Sequence, residues 1–252
     1  MIIRKSESEI EIMREAGRIT ARALRLVGEA VHPGVSTAEL DEVAETAIRE
    51  EGAEPGFKGY HGFPATICSS INHEVVHGIP SRSRILSEGD ILSVDVGAIV
   101  DGYYGDSAMT FPAGGVSAEA RRLLDVTSAS LAAGIAKCVD GMRLYDISHA
   151  VQKVAEDAGF SVVREYVGHG IGRQMHEEPQ VPNFGPAGTG PTLKEGMVLA
   201  IEPMINAGEA AVHGLDDGWT VVTEDSSLSA HFEHTIAIGP EGPDVLTLEK
   251  PQ

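Results

Sequence analysis

The residues best suited to chemistry are acids that end two similar stretches of the chain. Glu88–Asp95 has a counterpart 107 residues later, Glu195–Glu202, and each copy is a Glu-Gly turn, a short apolar strand and a final carboxylate. Two related halves that each direct an acid from a strand end would build one shared site on a pseudo-two-fold axis. Acids that converge in a buried place do not all stay ionised without cations, because desolvation and mutual repulsion penalise the charged form. The pattern therefore predicts a metal site.

A hairpin is predicted around the first acid. Ile91–Val96 is typical of a buried strand, Asp101-Gly102 of a two-residue turn, and Tyr103–Phe111 of the returning strand. With that turn, Asp95 and Asp106 project from the same face as diagonal neighbours. Two like charges so placed need something positive between them. The alternative is a pair of ordinary exposed acids on an edge hairpin.

The second half has a similar arrangement with a longer connection. Met197–Ile205 is a strongly apolar predicted strand that contains Glu202, and an unpaired buried carboxylate there would cost several kcal/mol. His231–Ile238 is the predicted returning strand, and Glu233 lies in it as the counterpart of Asp106. The extra length lies around residues 212–227, and connections of that size are usually functional or disordered.

Three of the ten histidines stand in contexts that favour a site. His169 is flanked by glycines, which permit close backbone approach and a fixed ring direction. His77 ends a segment just before the Asp95 strand, and His176 follows His169 by seven residues. Histidines in loops are more often surface or structural groups, and that interpretation is given to His32, His149 and His213.

Each half is predicted to begin with a pair of helices that support these strands. Ser-x-x-Glu capping boxes at Ser6 and Ser36 mark the first two helix starts. The predicted helices run from Ser6 to about Ala30, from Ser36 to just before Gly52, from about Ala118 to Val139 and from about Tyr145 to Ala158. The crossover at 111–115 is too short for a domain linker. We therefore expect a single domain over 1–252, with pseudo-repeats of about 10–111 and 117–240.

Composition limits the classes of function. The chain has 252 residues, 42% of them hydrophobic, and a formal net charge of −19. That charge would repel nucleic acid, and no stretch approaches the roughly 18 apolar residues of a membrane span. We see no apolar core of a secretory signal near Met1. Cys68 and Cys138 make no disulfide framework, which favours a reducing cytoplasm.

These residues together resemble the functional set of type I methionine aminopeptidases. The matching positions are His77, Asp95, Asp106, His169, His176, Glu202 and Glu233, with the motifs Gly-Tyr-His-Gly-Phe-Pro at 59–64, Gly-Asp-Ser at 105–107, Gly-His-Gly-Ile-Gly at 168–172 and Ile-Glu-Pro-Met at 201–204. The resemblance covers nearly the whole chain. It implies the α+β pita-bread fold, a pseudo-two-fold antiparallel sheet flanked by helices. The sequence has neither the long insert of type II enzymes nor an N-terminal extension, so we expect the minimal, bacterial-style form.

By this resemblance, five side chains bind two divalent ions. Asp106 and Glu233 would bridge the ions. Asp95 would chelate one ion, and His169 and Glu202 would complete the other. Four carboxylates and one imidazole form a hard, oxygen-rich set that suits Mn²⁺, Fe²⁺ or Co²⁺ better than a thiolate zinc site does. Zinc is a further candidate.

The resemblance also implies the reaction and its substrate. Glu202 would shuttle a proton, His176 would donate to the developing oxyanion, and His77 would contact the peptide backbone. The implied methionine pocket consists of Tyr60, His61, Phe63, Cys68, Met175 and Trp219. A closed pocket beside the ions would admit only small second residues after the initiator methionine. We therefore expect the protein to keep its own Met1, because Ile2 is bulky.

Two departures from the family pattern and two rival functions accompany this prediction. Val76 precedes His77 where many bacterial relatives carry Cys, and Met175 precedes His176 where some carry Phe. One rival is another pita-bread peptidase, such as aminopeptidase P or prolidase, which usually carries a large extra N-terminal domain. The other is a non-catalytic pita-bread domain that binds peptides. We expect a monomer that acts on peptides and nascent chains and contacts ribosomes transiently, although the negative charge offers no evident anchor.

Overall fold

A computed structural model describes residues 1–249 of the chain. The α-helices in this part are α1 (Glu7–Ala30), α2 (Thr37–Glu50), α3 (Ala118–Ile135) and α4 (Leu144–Asp157), and Tyr60–Gly62 forms a short 3-10 helix. The strands are β1 (Glu54–Pro55), β2 (Ile67–Ile71), β3 (Glu74–Val76), β4 (Ile91–Val100), β5 (Tyr103–Pro112), β6 (Ser161–Val162), β7 (Gly168–Gly170), β8 (Glu177–Val181), β9 (Val198–Ile201), β10 (Met204–Asn206), β11 (Val212–Gly214), β12 (Val221–Thr223), β13 (Ser229–His231), β14 (His234–Gly239) and β15 (Gly242–Val245).

The helix starts follow the capping signals of the sequence. Both predicted capping boxes are formed, at Ser6 with Glu9 and at Ser36 with Glu39, and each satisfies backbone N–H groups that the first helical turn leaves unpaired. The predicted extension of α3 to Val139 is wrong, because the helix ends at Ile135. Beyond that residue the backbone tightens into turns closed by hydrogen bonds between residues three apart.

The first hairpin has the register predicted from its turn. Strands β4 and β5 pair continuously from Ile91 with Pro112 to Val100 with Tyr103, so Asp101-Gly102 forms the two-residue turn. Helix α1 crosses β5 closely, and a Cβ atom on Gly105 would lie 2.6 Å from the backbone nitrogen of Gly17. This close crossing fixes the strand next to Asp106.

The second hairpin is interrupted, which corrects the prediction of two continuous strands. Residues 198–206 form β9 and β10 with Glu202-Pro203 between them, since proline cannot donate a ladder hydrogen bond. The returning chain is likewise divided into β13 and β14. Ile201 pairs with His234 and Met204 pairs with His231, so the register is the same on both sides of the gap. It places Glu202 opposite Glu233.

The long connection in the second half is ordered secondary structure. Strands β11 and β12 form a hairpin, and β12 pairs antiparallel with β3 of the first half. The insertion is therefore built into a three-stranded sheet, β11-β12-β3. Its connecting segment holds Trp219 against the side chains of the first half.

The two halves join along β5 and the chain from β13 to β14. The backbone N–H of Glu233 donates to the carbonyl of Ala108 at 2.8 Å, and the Thr235 hydroxyl donates to the carbonyl of Asp106 at 2.8 Å. One apolar core lies under α1 and α2, and a second lies under α3 and α4. This junction brings Asp106 and Glu233 together between the two cores. Among residues 1–249, no helix is both long and apolar enough to cross a membrane.

Candidate active site

One cavity of about 380 Å³ at the junction of the two halves is lined by every site residue predicted from the sequence. The acidic and histidine side chains in its lining are His61, His77, Asp95, Asp106, His169, His176, Glu202 and Glu233. The remaining predicted residues in its lining are Tyr60, Phe63, Cys68, Met175 and Trp219. The cavity is therefore polar and acidic at one end and apolar at the other.

Four carboxylates meet at the polar end. Asp106 and Glu233 are 4% and 2% exposed, and Asp95 and Glu202 are partly buried. Burial, followed by the repulsion of neighbouring carboxylates, raises the pKa values of Asp95, Glu202 and Glu233 well above their ordinary range. Burial raises the pKa of Asp106 to about 7. Without a cation, this environment therefore disfavours the ionised form of each carboxyl group.

The oxygens of these carboxylates are arranged as a cation would require. Within residues 1–249, Asp95 Oδ1, Asp106 Oδ1 and Glu233 Oε1 are buried and have no hydrogen-bond partner. One potential ligand atom from each of Asp106, His169 and Glu233 lies within 4.8 Å of the others. Unpartnered buried polar atoms are costly, so the donor set fits a bound metal ion.

His169 presents a free ring nitrogen to the same place. Its Nδ1 lies 2.9 Å from the carbonyl oxygen of Gly170, which accepts a hydrogen bond only if Nδ1 carries the proton. Burial lowers the pKa of His169 to about 4, so the ring is neutral near pH 7. Its Nε2 lone pair then lies 3.4 Å from Oε1 of Glu202. When Glu202 is ionised, these two atoms are both acceptors, and a cation between them would satisfy both.

The strands place the acids through their registers. Asp95 pairs with Ala108 and Gly97 pairs with Asp106, so the two aspartates are diagonal neighbours as predicted. The glutamates lie opposite each other at the interruption of the second hairpin. The Ser107 hydroxyl donates to the backbone carbonyl of Glu233 at 2.7 Å, which ties one hairpin to the other at the site.

His77 is held at the cavity by a strained and well-anchored segment. Its backbone has φ of 61°, a left-handed conformation that is unfavourable for a residue with a Cβ atom. Arg84 donates to the carbonyl of Ile79 at 2.8 Å and also to Glu74, which clamps both sides of the segment. Burial lowers the pKa of His77 to about 4, so this ring is also neutral near pH 7.

The apolar end of the cavity combines residues from both halves. Phe63, Cys68 and Met175 are buried together, and Tyr60 and Trp219 pack against them. The Trp219 ring meets the Phe63 ring edge-on at a centroid distance of 5.1 Å. Burial raises the pKa of Cys68 well above its ordinary value, so the thiol stays protonated and acts as an apolar group.

Sequence reasoning missed two residues at this site. Phe57 lines the cavity and is 6% exposed. His231 is 2% exposed, and its Nε2, which has no hydrogen-bond partner within residues 1–249, lies 3.7 Å from Oε2 of Glu202. The alternation of strand faces was an available signal, since His231 stands two residues before Glu233.

Comparison with known proteins agrees with this architecture. The model of metallopeptidase family M24 matches residues 11–240. Methionine aminopeptidase of Clostridium acetobutylicum is 56% identical over 248 residues, which cover 98% of this chain and 99% of that protein. The crystal structure of methionine aminopeptidase from Thermotoga maritima superposes with a TM-score of 0.97 at 46% identity, covering 98% of this chain and 99% of that one.

A more distant likeness bears on the fold alone. Prolidase from Pyrococcus furiosus superposes with a TM-score of 0.80 at 22% identity, covering 99% of this chain and 66% of that one. The expected α+β pita-bread arrangement is confirmed by these structural matches and by the antiparallel pairing of the strands. The resemblance inferred from the sequence is confirmed as well.

Proposed function

The chain belongs to metallopeptidase family M24, and from that premise we propose that it is a dinuclear-metal aminopeptidase. It removes the initiator methionine from peptides and nascent proteins whose second residue is small. The observation that carries this proposal is the cluster of buried carboxylates with unpartnered oxygens, beside His169 and next to an apolar cavity.

Five side chains that meet at the junction, Asp95, Asp106, His169, Glu202 and Glu233, would hold the two ions. When bound, divalent ions supply a water of lowered pKa and polarise a peptide carbonyl. The set of carboxylate oxygens and one imidazole favours Mn²⁺, Fe²⁺ or Co²⁺, with Zn²⁺ as a further candidate.

The remaining polar side chains carry the proton and the substrate. Glu202 accepts a proton at a carboxylate oxygen and returns it to the leaving amine. His176 donates a hydrogen bond to the carbonyl oxygen of the first peptide bond as charge develops there. His77, which lines the same cavity and is neutral near pH 7, contacts the substrate backbone.

Recognition of methionine uses the apolar end of the cavity. Phe63, Cys68, Met175 and Trp219 offer aromatic and sulfur surfaces, which favour a thioether by roughly 0.3–1.5 kcal/mol. Tyr60 and His61 complete the rim. We expect the cavity beside the ions to admit only a small second residue, so the protein should retain its own Met1 before Ile2.

The cellular setting follows from this activity. The protein works in the cytoplasm on nascent chains during protein maturation, with transient ribosome contact and no direct binding of nucleic acid or membrane. It acts as a monomer and as a single domain of two related halves. The formal net charge of −19 is consistent with repulsion from nucleic acid.

A peptide assay tests the proposed function against its rivals. We expect metal-dependent release of methionine from Met-Ala-Ser, no cleavage of Ala-Pro-Ala, and full loss of activity in excess chelator. Preferential cleavage of Ala-Pro-Ala would assign the chain to the aminopeptidase P or prolidase activity. Binding of both peptides without cleavage, in the presence of each candidate metal, would indicate a non-catalytic domain.

The protein's own N-terminus offers a second test of the pocket. Intact mass should show Met1 retained in the wild-type protein and removed after Ile2→Ala, when the variant is incubated with active wild-type enzyme. Loss of Met1 from the wild-type protein would contradict a pocket that admits only small second residues.

A further inference from the structure

Tyr60 and His176 are joined by a hydrogen bond at the rim of the cavity. The phenol oxygen of Tyr60 lies 2.8 Å from Nδ1 of His176, and 116 residues separate the two in the chain. Their ring centroids are 5.5 Å apart. The bond connects the loop before β2 in the first half to the β7–β8 connection in the second. It joins a residue predicted to line the methionine pocket to the residue assigned to the oxyanion.

The direction of this hydrogen bond follows from the partners available to the phenol hydroxyl and to the imidazole ring. Within residues 1–249, the Tyr60 hydroxyl has no other hydrogen-bond partner. If His176 donated from Nδ1, the phenol proton would be left without an acceptor in the protein. If Tyr60 donates, Nδ1 is the acceptor and the single ring proton of the neutral imidazole must lie on Nε2. The second arrangement pairs the phenol proton with Nδ1 and leaves the Nε2–H of His176, a residue that lines the cavity, free to donate to a substrate.

The loop that carries Tyr60 is held in one shape despite a conformational cost. Gly59, His61 and Gly62 all have left-handed backbones, with φ of 91°, 48° and 89°. Such a conformation is unfavourable for His61, which has a Cβ atom. The Gly59 N–H donates to the Phe63 carbonyl at 2.8 Å, and the Phe63 N–H donates to the Tyr60 carbonyl at 2.9 Å. The closed loop fixes where the phenol oxygen lies.

His176 has little else to orient it. Its side chain is exposed, and its ring lies 4.3 Å from the ring of His169 between centroids. Within residues 1–249, the bond to Tyr60 is the hydrogen bond that its ring makes. An exposed imidazole without such a partner samples several rotamers and both tautomers. Only one tautomer has the proton on Nε2, the nitrogen farther from Tyr60.

We propose that Tyr60 is a positioning residue: its hydroxyl donates to His176 Nδ1 and so keeps the proton on Nε2, ready to bind the carbonyl oxygen of the scissile peptide. This inference rests on the proposed role of His176. The proposal gives the Tyr60 hydroxyl a function of its own. Lining the methionine pocket, the role predicted from the sequence, would require only the ring.

Two substitutions at Tyr60 separate the hydroxyl from the ring. Tyr60→Phe keeps the ring and removes the donor, and Tyr60→Leu removes both. We expect Tyr60→Phe to lower kcat for Met-Ala-Ser by about threefold to tenfold with little change in KM, as for one lost neutral hydrogen bond. Tyr60→Leu should show the same loss in kcat and an additional rise in KM. Full kcat in Tyr60→Phe would overturn the proposal.

Tyr103→Phe is the matched control. Its hydroxyl donates to Glu9 Oε1 at 2.6 Å, and Tyr103 is absent from the cavity lining. Loss of that hydrogen bond should leave kcat and KM unchanged. An equal fall in kcat in Tyr103→Phe would mean that removal of any buried phenol hydroxyl disturbs turnover, and it would also overturn the assignment.

The tautomer itself can be observed without turnover. The full-length protein, loaded with diamagnetic Zn²⁺ and labelled with ¹⁵N-histidine, gives separate shifts for Nδ1 and Nε2, and His176→Gln assigns them. We expect an unprotonated Nδ1 and a protonated Nε2 in the wild type, and a population with protonated Nδ1 in Tyr60→Phe. A protonated Nδ1 in the wild type would overturn the proposal. Because this readout requires no cleavage, it is independent of whether methionine is the residue released.

Discussion

The two hairpins that supply the carboxylates differ in their connection but not in their pairing. The first turns at Asp101-Gly102 and is continuous, whereas the second runs through an insertion that contains β11 and β12. Nevertheless, the second hairpin keeps one register on both sides of its gap. The turn therefore does not set the register there. The side chains facing the two cores set it, because a slip by one residue would turn them outward.

The difference in connection has a functional consequence. The tight turn of the first half leaves its acids in a continuous ladder, and nothing from that turn reaches the cavity. The insertion of the second half pairs with β3 of the first half and places Trp219 against Phe63. One hairpin thus contributes acids alone, and the other contributes acids and a wall of the pocket.

The largest expected effect comes from the acids where the two hairpins meet. Asp106→Asn and Glu233→Gln should each lower kcat/KM for Met-Ala-Ser by more than about 100-fold, because even partners of metal ligands cost 10–100-fold. Metal content, measured by mass spectrometry, should fall in both. Asp244→Asn is the control, since that carboxylate is 42% exposed and pairs with Arg14 away from the site. Retained activity in either site variant would show that the acids of the two hairpins are not equally required.

The metal-free protein should lose stability as pH rises above about 6.5. The raised pKa values of the four acids mean that the folded state keeps protons that the unfolded chain has already released. The histidines with lowered pKa values oppose this only below about pH 6.5, where the unfolded chain protonates them. Each acid still protonated contributes a fall of up to about 1.4 kcal/mol per pH unit.

Urea unfolding in chelator between about pH 6.5 and 8 measures this slope. The upper limit is set by the ordinary pKa of cysteine, above which the two cysteines would also contribute. Saturating metal should abolish the slope, because the ligands bind as carboxylates. Asp106→Asn and Glu202→Gln should each reduce the slope, because acids of both halves contribute to it through their raised pKa values. A free energy of unfolding that rises with pH in chelator would contradict the raised pKa values of the four acids.

An intermediate effect is expected from the insertion. Trp219→Ala should raise KM for Met-Ala-Ser by about tenfold and change kcat less, because it removes binding surface remote from the reacting bond. Leu215→Ala is the control, since Leu215 lies in the same insertion and is 42% exposed. Equal KM values for Trp219→Ala and Leu215→Ala would remove the functional distinction between the two hairpins.

The smallest effect should come from Cys68, the wall residue that pairs with Asp95 across β2 and β4. Cys68→Ala should change KM by less than about threefold, because the thiol is small and neutral. Its raised pKa also predicts that native Cys68 resists iodoacetamide near pH 8 and reacts only after unfolding. Rapid alkylation of Cys68 in the native protein would contradict its buried, protonated state.

Local signals account for what the sequence predicted correctly. The capping boxes at Ser6 and Ser36 and the Asp-Gly turn are short-range features whose hydrogen bonds close within a few residues. The placement of the site residues in one cavity followed from the family resemblance, since no local rule brings His77 next to Trp219.

Apart from the misplaced end of α3 and the overlooked His231, the errors and omissions concern contacts between segments far apart in the chain. The gap at Pro203 is visible in sequence, but the unchanged register across it depends on both cores. The pairing of β12 with β3 and the bond between Tyr60 and His176 join segments from different halves. Such contacts are set by tertiary packing, which propensity and periodicity do not encode.

Anomalous diffraction from crystals loaded with Mn²⁺ or Co²⁺ tests most directly whether acids of both halves share a metal pair. We expect two peaks about 3.5–4 Å apart, with Asp106 and Glu233 each bound to both. A single ion held by the carboxylates of one hairpin, with those of the other hairpin unbound at full metal occupancy, would contradict this expectation.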